Sequence, residues 1–464
     1  MVALGVAAAL LSGCASYSYR MDKVANPVAL PAAWEAPAAA TAAPEITADW
    51  WSNFSSPELS KLIAEAMQGS PTLAIAEERL KQAERALSVS RDSLLPDLSV
   101  NGSTSKTRSG GTGVATATRE STSVSGQLRY DVDMWGGAAA SYRASKATLA
   151  GTRYDLDAAR LTLTANVAAQ YFQLLSVRAR VDIARENLTI AERLLRIVDA
   201  RYRNGVVRAL DLSQQTTAVL QQRANLIPLE AQQRQIETAL GLLLGRVPQG
   251  FSVNAEPLMQ ISVPTVAPWV PAELLLRRPD LAAAETDLAA AHANIAVARA
   301  NLLPGAISLT AGQGYSSPAL FSLANATRTF SLSGVLSIAE SIFGFRARQV
   351  QVANARSNEF ITLTNYASSI RSALKDVDDS LANVQTDLRR EESQRAVVEQ
   401  AQRALNLAET EYREGAGALQ DNLDAQRSLF SAQDQLSQIR LARLNSALDL
   451  YVALGGGWTA PAAE

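Results

Sequence analysis

The chain contains its own copy, displaced by 208 residues. Twelve of the 26 positions in 71–96 recur in 279–304: Pro71/Pro279, Leu73/Leu281, Ala74/Ala282, Ala76/Ala284, Glu77/Glu285, Leu80/Leu288, Ala83/Ala291, Val89/Val297, Arg91/Arg299, Leu94/Leu302, Leu95/Leu303 and Pro96/Pro304. The same offset pairs Leu128 with Leu336, Trp135 with Phe343 and Gly136 with Gly344. Further on, an offset of 210 pairs Tyr202-Arg203-Asn204-Gly205 with Tyr412-Arg413-Glu414-Gly415. Such a period is far longer than the roughly 20–50 residues of a solenoid unit. It marks a duplicated half-protein, so whatever one half builds, the chain builds twice.

The residue inventory removes most chemistry. Among 464 residues there is one Cys and one His, so neither a Cys/His metal cluster nor a duplicated His-based dyad can be assembled. His292 sits in an Ala-rich helical run and reads as an ordinary helix residue. Carboxylates such as Glu77, Glu84 and Glu285 read as helix-surface groups, so no enzyme and no cofactor is expected. With 43 basic and 45 acidic side chains, nothing suggests a nucleic-acid surface. No run of 18 or more apolar residues is present, which excludes a transmembrane helix.

The first residues differ from the rest. Val2 to Leu11 is a short apolar stretch of signal-peptide length, and Leu11-Ser12-Gly13-Cys14 resembles a bacterial lipobox. The expectation is a signal peptide over 1–13, acylation of Cys14, and an extended Ala/Pro-rich segment over 14–48. Ala15 after the cysteine resembles lipoproteins sent on to the outer membrane. The first repeat is expected over 49–247, a Pro-rich linker over 248–272, the second repeat over 273–457 and a tail over 458–464.

Each repeat reads helix, hairpin, long helix, turn, return helix. The hairpins, 97–133 and 305–339, rest on strict alternation. Val124, Gly126, Leu128, Tyr130 and Val132 alternate with polar residues, as do Phe330, Leu332, Gly334, Leu336 and Ile338. The Gly/Ser/Thr-rich stretches Lys106–Thr122 and Ser316–Thr327 are expected as the loops between strands. One apolar and one polar face over about ten residues suits a membrane barrel strand. It equally suits a half-buried soluble hairpin.

The helices tilt that balance. Residues 138–203 and 346–413 contain no proline, and each would span about 100 Å as an unbroken helix. The first carries a heptad seam of Val167, Leu174, Val181, Leu188, Leu195 and Tyr202, with Val177, Ala184, Ala191 and Val198 three residues after. The second carries Leu363, Ile370, Val377, Val384, Val398, Leu405 and Tyr412, broken at Glu391. The return helices are expected over 206–245 and 418–454, the first kinked or interrupted at Pro228.

Four strands cannot close a membrane barrel, since the smallest need about eight. An open edge in lipid would leave backbone groups unsatisfied. If the hairpins span a membrane, several chains must therefore associate, and the coiled-coil helices would continue the assembly as a tube.

Three motifs carry a resemblance to a known family. They are Trp50-Trp51-x-x-Phe54 followed by Glu58-Leu59 and Leu62, then Pro271-x-Glu273-Leu274-Leu275-x-Arg277-Arg278-Pro279-Asp280-Leu281 ending in Ala284-Glu285, and Asp424-Ala425-Gln426-Arg427. Together they resemble the outer-membrane efflux family, and with Cys14 its lipoprotein branch serving resistance-nodulation-division (RND) pumps. The resemblance implies an α+β membrane protein: a homotrimer with four strands per chain in a transmembrane β-barrel, a long coiled-coil helical barrel in the periplasm and a mixed equatorial domain. It implies a passive exit duct for drugs or other small molecules. Its partners would be a periplasmic adaptor protein, an inner-membrane RND transporter and outer-membrane lipid. A duct for secreted polypeptide and a periplasmic coiled-coil scaffold remain the alternatives.

Within that resemblance the functional positions are the two helical tips. Gly205 and Gly415 would form the turns and the adaptor contact. Asp211, Tyr412, Gln420, Asp421, Asp424 and Arg427 would surround the periplasmic gate. Carboxylates near a helix start also serve the helix dipole, and for Asp211 the two readings stand level. Gly417 stands where some relatives have an arginine, and Gln420 where others have an apolar ring residue.

Overall fold

The computed structural model describes residues 28–35, 46–254, 256–266, 271–303, 306–337 and 342–460. Cys14 and the whole expected signal peptide lie outside them. After a 3-10 turn at Trp50–Phe54 come helices α1 (Pro57–Gly69) and α2 (Pro71–Asp92), strands β1 (Asp97–Gly111) and β2 (Val114–Val132), and helices α3 (Gly137–Arg203) and α4 (Ala209–Leu243). The second copy repeats the order with α5 (Pro271–Leu274), α6 (Pro279–Leu302), β3 (Ala306–Ser317), β4 (Thr327–Ser337), α7 (Ile342–Glu414) and α8 (Leu419–Ala453). The contacts divide the chain into two compact units, one holding the sheet and the adjoining helix ends (90–147 and 285–367), the other holding the tips (30–89, 148–284 and 368–464).

In the first unit the four strands form one antiparallel sheet in the order β1-β2-β3-β4. Registered partners share a face, so Leu98↔Leu128↔Ala311↔Leu332 and Val132↔Ile307↔Leu336 lie on the same side. That side also carries Val100, Val124, Tyr130, Leu309, Tyr315 and Phe330. Its side chains are bare in the single chain, with Leu332 76% and Val100 73% exposed. The other side is polar, mostly Ser, Thr and Gly with Asp97, Asn101, Arg119, Gln127, Arg129 and Asp131 among them. The sheet thus buries neither face within one chain.

The first hairpin departs from expectation. Lys106–Thr122 is not a loop: β1 and β2 run through it and turn only at Thr112-Gly113, where Gly113 takes φ +86°. Hydroxyl ladders supply the reason. Ser103 faces Ser123 at 2.9 Å, Thr104 faces Thr122 at 3.0 Å and Ser105 faces Ser121 at 2.9 Å. Lys106 then pairs with Glu120 at 2.7 Å. Small polar residues read as loop in one strand satisfy one another across two.

The second unit is built round an aromatic cluster. Trp50 stacks on Tyr451 at 5.5 Å, and Phe54 meets Phe172 at 5.0 Å. The Asn53 amide donates to the Tyr451 hydroxyl at 3.0 Å. The Trp-Trp-x-x-Phe motif therefore joins the N-terminal turn to α3 and α8. Both copies end their return helix in a positive-φ glycine pressed on backbone, Gly245 (φ +73°) against Gly69 and Gly455 (φ +87°) against Arg277, where a Cβ would clash outright.

Two expectations about the helices need correcting. Pro228 does not interrupt α4, which is continuous from Ala209 to Leu243. The heptad seam of α3 holds only in part: Val177, Ala184, Ala191 and Val198 are buried, but Tyr202 is 42% exposed and Leu194 is buried in place of Leu195. A straight helix drifts about 20° per heptad, which carries a strict seven-residue row out of contact. In α7 the break at Glu391 is a buried charge: its side chain is 1% exposed and meets Arg395 at 2.6 Å, Arg443 at 2.8 Å and Arg440 at 3.2 Å.

Candidate functional site: the helical tips

Each tip ends its long helix in the same way. Gly205 (φ +71°) donates to the Tyr202 carbonyl and Val206 to Arg201; Gly415 (φ +81°) donates to Tyr412 and Ala416 to Glu411. This pair of bonds closes a helix on a left-handed residue, and glycine adopts that conformation without a Cβ penalty.

The two tips pack on one another. Leu194 and Val198 of α3 meet Tyr412, Leu419 and Leu423, with Val207, Leu212 and Ala218 against them. Tyr412 is buried in this cluster rather than turned to solvent, and its hydroxyl has no hydrogen-bond partner among the described residues. The Arg201 guanidinium lies 4.6 Å from the centre of the Tyr412 ring and donates to the Arg413 carbonyl at 2.9 Å. Arg201 escaped the sequence reading because nothing in its spacing marks a cross-copy contact.

The carboxylates divide. Asp211 accepts from the Arg208 backbone N–H at 3.0 Å and from its guanidinium at 3.2 Å, capping the start of α4. These two hydrogen bonds, backbone first, hold its carboxyl below the usual Asp range. In the second copy α8 starts at Leu419, and the residue before it, Ala418, offers no side-chain cap. Asp421 is exposed. Asp424, also exposed, accepts from Gln420 at 3.1 Å and from Arg427 at 2.8 Å. The structure thus brings Gln420, Asp424 and Arg427 into one chain of contacts on α8 and leaves Asp421 beside it. No group of His, Cys, Asp and Glu able to hold a metal ion occurs among the described residues.

Comparison with known proteins gives this architecture its family. The family model described as outer membrane efflux protein matches twice, over 62–246 and 270–456, once per copy. Pyoverdine export outer membrane protein OpmQ of Pseudomonas aeruginosa is 34% identical, over 97% of this chain and 95% of its own length. Cation efflux system protein CusC of Escherichia coli K12 is 30% identical, over 88% of this chain and 89% of its own. A crystal structure of CusC matches with a TM-score of 0.80 at 27% identity, covering 91% of this chain and 100% of that one. The Campylobacter jejuni CmeC outer membrane channel, at 22% identity, shares the fold with a TM-score of 0.85 over 95% of this chain and 94% of its own. The chain belongs to the outer membrane efflux protein family: an α+β channel protein of the outer membrane, and not an enzyme.

Proposed function

We propose that this protein is the exit duct of a tripartite RND-type efflux pump, passing small molecules from the periplasm to the exterior as a homotrimer. The observation that carries this is the bare two-faced sheet. Its apolar rows from Val132 to Val124 measure about 26 Å along the strand. Tilted by roughly 35–45° as membrane strands are, they rise roughly 18–21 Å, most of the apolar band of about 25 Å in such barrels. Three copies supply twelve strands, with the polar face lining the lumen. The long helices continue the duct, and an adaptor protein engages the tips at Gly205 and Gly415. An anchor on Cys14 belongs to the same reading, and the intact mass of the mature protein checks it.

Relatives of comparable identity are named for pyoverdine, for cations and for antibiotics. That spread supports a duct whose cargo is chosen upstream. Native mass spectrometry should find a trimer, and planar bilayers should show conductance that is low at rest. A mainly monomeric, non-conducting protein overturns the reading.

The gate belongs at the second tip. Asp421 and Asp424, tripled by symmetry, would form a ring that attracts cations. Because Arg427 already answers Asp424, the exposed Asp421 carries most of the uncompensated charge. Asp421→Asn with Asp424→Asn should weaken cation selectivity and multivalent-cation block while the trimer persists. Unchanged selectivity in single-channel recordings would return both carboxylates to helix-end electrostatics.

A further inference from the structure

At one end of the sheet the strands join helices; at the other they turn back as hairpins, and there the lipid-directed face changes character. Its last apolar row runs Gly102↔Val124↔Tyr315↔Arg328. Tyr315 is 42% and Phe330 71% exposed, aromatic rings of the kind found at a membrane interface. Beyond that row only β1 and β2 continue far, and the same face then presents Thr104/Thr122, Lys106/Glu120 and Arg108/Thr118 in turn. Arg108 and Arg328 are exposed.

These cations are not scattered. Register puts Lys106, Arg108 and Arg328 on the apolar side of the sheet, and Glu120 is the single acid among them. Arg328 gives one guanidinium nitrogen to the Gln313 carbonyl oxygen at 3.1 Å, which holds it against the sheet. Lys106 and Arg108 stand roughly 13 and 20 Å further along the strand than Gly102. On the same face, the rows that end the sheet at the helix side are Val132, Ile307 and Leu336, without a cation. The charge is confined to the hairpin end.

Lipid-facing cations just outside an apolar band meet headgroups before they meet bulk water. A guanidinium binds phosphate oxygens through paired N–H donors, and phosphate is the acceptor that lipid headgroups present at this depth. Lys106 and Arg108 lie on β1 and Arg328 on β4, the two open edges of the sheet. Closure by further copies sets one edge against the other, so each seam between chains would gather cations from both sides.

We propose that this face is a docking surface for phosphate-bearing lipid headgroups of the outer leaflet, held by Arg108 and Arg328 with Lys106 in support. The proposal rests on the barrel reading above, and the test separates the two. The full-length protein is placed in nanodiscs containing bis-phosphorylated lipid A or its dephosphorylated form, then released for native mass spectrometry. Wild type should retain the phosphorylated probe, and the variant Lys106→Gln/Arg108→Gln/Arg328→Gln should lose retention at least tenfold while remaining assembled. Equal retention by the variant, or equal retention of the dephosphorylated probe by wild type, overturns the docking surface. In parallel, Leu332→Trp should be quenched by brominated acyl chains. No quenching overturns the barrel reading itself and the docking surface with it.

Discussion

The two copies close their tips with the same backbone device but hold their helix pairs together by different means. In the first copy, α3 and α4 are joined by separate partly exposed pairs: Arg178–Glu237 at 2.6 Å, Arg223–Glu192 at 2.7 Å and Arg185–Glu230 at 2.8 Å. In the second, the ion pairs between α7 and α8 converge on one buried carboxylate, Glu391, while Asp387 accepts from Ser446 at 2.6 Å and Gln394 donates to the Ala432 carbonyl at 2.9 Å. Glu391 accepts from Arg440 and Arg443 on α8 and from Arg395 on its own helix, and Arg440 also donates to the Ile261 carbonyl of the inter-repeat connector. Burial pushes the Glu391 carboxyl up, but the bonds from Arg443 and Arg395 and the charge of Arg440 outweigh it and hold it below the usual range. A duplicated scaffold has thus kept its order of elements while concentrating the second hairpin's ion pairs at one residue.

The largest expected effect tests that concentration. Glu391→Ala leaves buried Arg440 without its counter-charge, and breaking a buried pair by removing one partner costs about 3–5 kcal/mol. Glu230→Ala in the first copy removes one exposed pair, that with Arg185, and should cost about 1 kcal/mol or less. Hydrogen exchange resolved by helix should show α7 and α8 opening in the first variant and little change in α3 and α4 in the second. Equal protection losses would mean that the two hairpins are held alike.

The tips themselves should respond alike. Gly205→Val and Gly415→Val each force a β-branched residue into the left-handed region, at about 1–2 kcal/mol apiece. Limited proteolysis at the turn should rise to a similar extent in both. A much larger response at Gly415 would extend the asymmetry from the helix pairs to the turns.

Much of this was legible beforehand, and what was missed has a common physical cause. The duplication, the four strands and the turn glycines follow from period and spacing, which are local. The stretch 106–122 reads as loop because the hydroxyl ladder at Ser121 and Thr122 and the pairing of Lys106 with Glu120 exist only once the partner strand is in place. Glu391 is visible in the sequence only as a fault in the heptad, since its three arginines come from positions 395, 440 and 443. At the candidate site, Asp211 and Asp424 could be placed on their helices from the sequence. Only the structure distinguishes a carboxylate that caps its own helix from one that answers Arg427. Tyr412 showed the same limit: its heptad position gave burial, but its pairing with Arg201 of the other copy did not follow from either segment alone.

The smallest effect sharpens the comparison at the helix starts. Asp211 accepts the Arg208 N–H, whereas Ala418 gives α8 no side-chain cap, so Asp211→Ala should cost about 1 kcal/mol and Asp421→Ala, an exposed change, about 0.5 kcal/mol or less. Acid should reveal the same difference in the wild-type protein. The Asp211 pKa is depressed in the folded state, so its stabilising contribution is present above the ordinary Asp pKa and disappears as pH falls through the lowered folded value. Amide protection at Arg208 should therefore fall with acid in the wild-type protein and be insensitive to it in Asp211→Ala. The start of α8 lacks a carboxylate on its first N–H and should show no matching acid-dependent loss. If both starts lose protection together, the transition belongs to the packed tip cluster of Leu194, Val198, Tyr412, Leu419 and Leu423, and the cap is not what distinguishes the copies.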